Sequence, residues 1–201
     1  MDVSWPIVKE VFFGIGSIAG VIAFFRPLVE TKLQRDLIRV ERIKSLLNEQ
    51  RVVDLEAWVY QHRQVPSESF DPFDQLAHER RTNQEVVRFA GPTSKFLVRE
   101  LDALLGAYSN LRGYIQVREW EPRINEIEGV EHRSWAFNKQ AFEDRNGVAR
   151  DYVKHLDGAA EQALQIRRAF QRFQLAAELH LFEVPFARWL LPRRFKAHGL
   201  E

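Results

Sequence analysis

The chain has no cysteine in its 201 residues. That absence excludes disulfide staples, thiol catalysis and cysteine-based zinc sites, and it is compatible with a reducing compartment. An excess of one charge sign is also missing. Lys plus Arg number 29 against 28 Asp plus Glu, a formal net charge of +1. Such a balance argues against a dedicated nucleic-acid coat and leaves only local basic patches open.

The familiar catalytic signatures are lacking too. No G-x-x-x-x-G-K-[ST] occurs. His78-Glu79-Arg80-Arg81-Thr82 begins like H-E-x-x-H but ends in Thr, so the second zinc ligand is missing. No Glu stands three residues before any of the 6 histidines, which removes the di-iron E-x-x-H pattern. Serines are few and none lies in G-x-S-x-G. Asp74 with His78, and Glu128 with His132, stand four apart, the spacing of surface ion pairs on one helical face. No cofactor or metal is expected. Sustained period-two alternation with turn punctuation is absent as well, so the chain reads as all-α.

What is present begins with Ile7–Phe25, I-V-K-E-V-F-F-G-I-G-S-I-A-G-V-I-A-F-F. Val11 to Phe25 carries no charge. A helix needs about 20 mostly apolar residues to cross the hydrocarbon core, with a range of roughly 17 to 25. Ile7–Phe25 falls inside that range if Lys9 snorkels to the headgroups. Trp5 suits the interfacial aromatic belt. There is no base before Lys9 and no small-x-small site after the apolar run, so a cleaved signal peptide fits poorly. The expectation is a single transmembrane anchor over 1–27. Arg26, Lys32, Arg35, Arg39 and Arg42 follow the span, which places the body in the cytoplasm and the N-terminus outside. Gly16 and Gly20 form G-x-x-x-G, and Ala19 and Ala23 repeat the spacing, a ridge on which two helices approach closely in lipid. The partners expected are the bilayer and further copies of this chain, with a protein partner also open.

Residues 28–183 read as an elongated bundle of four or five helices. Leu28 to about Gln61 reads as one long helix. Leu33, Leu37, Val40, Ile43 and Leu47 form its apolar stripe, and Arg35, Asp36, Arg39, Glu41, Arg42 and Lys44 form a solvated face. His62–Asp71 reads as a loop. Asp71-Pro72 is a helix start, with Asp as the cap and Pro at the first position, and the helix runs to about Ala90. A helix capped by Thr93 or Ser94 runs to the Glu119–Pro122 region. Arg123–Arg133 reads as a loop, and Ser134 as the cap of a helix from Trp135. Ala159–Phe182 is a helix. The tail, 184–201, interleaves Phe186, Trp189, Leu190, Leu191 and Phe195 with Arg188, Arg193, Arg194 and Lys196. It suits a membrane surface, with Trp189, Arg193 and Arg194 at the interface, or aromatics that plug the bundle.

One constellation carries chemistry. Arg150-Asp151-Tyr152-Val153-Lys154-His155 has the form R-[N/D/H]-x-x-x-H. His transfers protons near neutral pH, and Arg grips phosphate and stabilises developing charge. Positions 150 and 155 diverge by about 140° on an ideal helix, so a neighbouring helix is needed for them to converge. The motif resembles that of HEPN-type ribonucleases, helical bundles in which Arg and His from two copies meet at a dimer interface. With the N-terminal span, the layout resembles membrane-anchored HEPN-like accessory proteins found beside RNA-targeting CRISPR effectors. The resemblance covers the layout and six residues. It implies a membrane oligomer acting in antiviral defence or, alternatively, a tethered metal-independent ribonuclease using Arg150, Asp151 and His155 on RNA. A plain single-pass adaptor fits the same layout.

Overall fold

The computed structural model describes residues 30–82, 89, 94–116, 120–127, 130–138 and 152–200 other than 182–186. The apolar stretch Ile7–Phe25, with Trp5, Gly16, Ala19, Gly20 and Ala23, lies outside them, as do Arg150 and Asp151. Among the described residues, no helix is long and apolar enough to cross a membrane.

Helix α1 spans residues 30–46. Its inward face is Leu33, Asp36, Val40, Ile43 and Leu47, all buried. That corrects the sequence reading at two neighbours. Asp36 is fully buried rather than solvated, and Leu37 is 43% exposed. The single long helix is also divided. Asn48 leaves helical geometry, and its side chain accepts from the Arg51 N–H, capping α2, Glu49–Ala57. A wider turn, Trp58–His62, then closes at Arg63, whose φ of 53° ends the helical run.

The segment expected to be a loop, His62–Asp71, contains strand β1, Gln64–Pro66, and a 3-10 turn, Ser67–Ser69. Helix α3, Asp71–Arg81, starts where Asp71-Pro72 signals, but Phe70 is its cap residue and makes no side-chain cap bond. Helix α4 spans Ser94–Gln116.

The main correction lies between α4 and the next helix. Trp120–Ile127 and Val130–Phe137 are strands β2 and β3 of an antiparallel hairpin, not a loop followed by a helix from Trp135. With β1 they form a three-stranded sheet in the order β1-β3-β2. The Phe137 N–H donates to the Arg63 carbonyl at 2.9 Å. Alternation along β3 then turns Phe137 and Trp135 toward β1, and Ala136 and Ser134 toward β2. Pro122 pairs with Trp135 and Pro66 with Ser134. Each proline therefore sits where its nitrogen faces the open edge, so no ladder bond is lost and both edges are blunted.

Helix α5, Tyr152–Leu181, is the spine, and α6, Ala187–Ala197, folds back on it. Gly158 lies within α5 without breaking it. The body is thus mostly helical with a small sheet at one end. Its core is continuous from Val40 and Ile43 through Leu104, Leu111, Phe170 and Phe173 to Leu191 and Phe195. Each fully buried Leu or Phe side chain contributes roughly 1.5–3 kcal/mol of transfer free energy, so this apolar seam dominates the stability.

Candidate functional site

Helices α4 and α5 run antiparallel, which the side-chain pairs locate. Tyr114 meets His155 and Gly158 at one end, and Glu100 meets Arg172 nearer the other. The chemistry-bearing groups fall into two clusters, at opposite ends of α5. His155 and His180 are separated by about 38 Å at 1.5 Å per residue.

The end beside the start of α1 concentrates buried charge. His180 Nε2 lies 2.8 Å from Asp36 Oδ2, with the two side chains 1% and 0% exposed. Arg39, one turn along α1, donates to Asp36 Oδ1 at 3.1 Å. Glu100 is fully buried and receives Arg172 from α5 at 2.9 Å and Arg99 from its own helix. Arg172 also lies 4.8 Å from the centre of the Phe195 ring on α6. Buried Glu79 of α3 is met by Arg42 of α1 at 3.5 Å and by Gln75 at 3.0 Å. Glu79 and Glu100 therefore each take an arginine from a different helix, and Asp36 takes the His180 ring from α5 beside Arg39 of its own helix. Desolvating both charges largely cancels the attraction, while removing one partner is costly. These pairs fasten α1, α3, α4, α5 and α6 in one register rather than add stability.

At the sheet end, the Tyr114 hydroxyl is 3.5 Å from His155 Nδ1, with ring centroids 6.3 Å apart. His155, the one described member of the R-x-x-x-x-H motif, is half-buried here. A Cβ on Gly158 would collide with the Tyr114 hydroxyl oxygen, so this glycine gives the ring its seat. Beside it, Tyr108 donates to Asp74 at 2.5 Å and stacks on Phe73. Arg112 reaches the same Asp74 at 3.9 Å and covers the Phe70 ring at 4.6 Å. Burial, then the bond to Asp74, pushes the Tyr108 phenol well above its ordinary range. It is a hydrogen-bond donor locked in the core, not a proton shuttle.

A concavity of about 480 Å³ lies between α2 and the start of α3, where Arg51, Asp54, Trp58, Asp71 and Gln75 line it. Among the described residues, no group of three or more His, Asp or Glu is arranged to hold a metal ion. Of the interface residues expected in the tail, Trp189 lies in α6, and Arg193 and Arg194 stand exposed on it, the latter 3.8 Å from Glu178.

Sequence reasoning missed the buried ionisable groups, although a signal was present. Asp36 falls on the 33-36-40-43-47 stripe of α1, Glu100 on the 97-100-104-108-111 stripe of α4, and His180 on the 166-170-173-177-180 stripe of α5. An ionisable residue in register with buried apolar neighbours marks an internal pair. No protein-family model, curated protein or solved structure matches the chain.

Proposed function

We propose that the chain is a single-pass membrane protein, anchored through Ile7–Phe25, whose cytoplasmic body oligomerises and serves as an effector or interaction module at the membrane in defence or stress response. The observation that carries this reading is the seating of α1. The helix that follows the apolar stretch is built into the core through Val40, Ile43 and Leu47, and its Asp36 is held by His180. Only four residues, 26–29, separate Phe25 from this helix, so a span over Ile7–Phe25 would stay close to the body. Oligomerisation draws on the small-residue ridge. On α1, Ile38 is 70% exposed and Leu37 43% exposed, apolar side chains left on its outer face.

The test is the mass of the detergent-solubilised particle by light scattering. The reading expects a multiple of the chain mass, reduced by Gly16→Leu or Gly20→Leu. A monomeric particle refutes the oligomer. RNA cleavage by the full chain that disappears in His155→Ala would replace the reading with a HEPN-like tethered ribonuclease.

A further inference from the structure

We propose that α6 is an electrostatic foot that lays the body on anionic headgroups of the bilayer in which the chain is anchored. The inference rests on the anchor reading and adds a second, reversible attachment. The tail, 184–201, contains four bases, Arg188, Arg193, Arg194 and Lys196, against one acid, Glu201. An amphipathic helix with this composition would ordinarily insert its apolar face into lipid. Here that face is already occupied. Leu191 and Phe195 are buried against the body, Leu200 after them is buried too, and the Phe195 ring lies under Arg172. The surface left outside is Pro192, Arg193, Arg194 and Lys196. Such a surface contacts headgroups by charge, without insertion.

Its position favours the bilayer as occupant. Arg194 reaches Glu178, two residues before His180, and His180 holds Asp36 of α1. Exposed Lys32 and Arg35 lie within a turn of Asp36 toward the start of α1. The exposed bases of both helices therefore lie on the half of the body that carries the start of α1, with Glu30, Glu49 and Glu178 among the described acids beside them. Anionic lipid at a cytoplasmic leaflet attracts bases near the surface and is screened by salt.

The absence of native cysteine lets the full chain carry one labelled cysteine. Ala197→Cys with a fluorescent donor is inserted into phosphatidylcholine vesicles containing an acceptor lipid, with or without about 30 mol% phosphatidylserine. The expected result is stronger transfer in the anionic vesicles, lost at about 0.5 M NaCl. The ratio of docked to undocked body should fall about fivefold per base removed in the series Arg193→Gln, Arg194→Gln, Lys196→Gln. A donor at Asn125→Cys, on the hairpin, should report no gain in proximity. Equal transfer at 197 in the two vesicle types overturns the proposal. So does transfer indifferent to lipid charge but altered by added single-stranded RNA, which would assign the face to nucleic acid. A chain that fails to float with either vesicle in high salt overturns the anchor itself, and the proposal with it.

Discussion

Asp36 and His180 stand 144 residues apart in sequence and 2.8 Å apart in the fold, both excluded from solvent. The pair joins the first described helix to the last turn of the spine. Removing either member takes a buried hydrogen bond from the other. Asp36→Leu or His180→Leu alone should therefore cost about 3 kcal/mol, whereas the two together should cost much less than the sum. Urea unfolding of the four species in a double-mutant cycle measures this. Additive costs would show that the pair is not coupled.

Glycine substitutions in α4 and α5 should differ in sign. A Cβ at Gly106 would have nothing within 4 Å, and the position is exposed within α4, so Gly106→Ala should stabilise by up to about 1 kcal/mol through helix propensity. Gly158→Ala gains the same propensity but drives the Tyr114 ring from its seat beside His155. It should show no net gain, and Tyr114→Ala should restore one. Thermal unfolding of the three variants decides the order.

Stability should fall at alkaline pH through Tyr108. Its folded-state pKa is raised, so the folded form retains a proton that the unfolded chain releases. The contribution is fully present below the unfolded value of about 10 and declines as pH rises past it, by up to about 1.4 kcal/mol per pH unit. Tyr108→Phe should be less stable at neutral pH, having lost the bond to Asp74, and should show a shallower alkaline decline. Urea midpoints at several pH values on either side of that range test the sign.

The hairpin edges should be guarded by their prolines. Pro122→Thr and Pro66→Thr restore an outward-facing N–H on β2 and β1, and should promote association detectable by light scattering. Glu126 and Glu131 face each other across the ladder. Glu126→Lys should slow amide exchange in the hairpin, in line with a gain of about 0.5 kcal/mol.

Much of this was legible before the structure. The apolar stripes placed α1 and α4, the second half of α5 was read as helix, and Asp71-Pro72 marked the start of α3, which ends at Arg81 rather than near Ala90. The hairpin was hidden for a physical reason. Glu121–Glu126 and Val130–Arg133 are exposed on both faces, so no apolar face exists to impose alternation, and Pro122 reads as a loop residue. The Asp36–His180 pair was unreadable as a pair because nothing local links the two residues. The dominant role of the tail's apolar residues was also open, and Leu191 and Phe195 prove to be packed inward.

The central claim is that a bilayer span leads into α1. Alkaline carbonate extraction of membranes from cells expressing the full chain tests it most directly, because carbonate strips proteins held by charge. The account predicts that the chain stays in the membrane pellet and that a chain begun at Leu28 is released. Release of the full chain into the supernatant would contradict it.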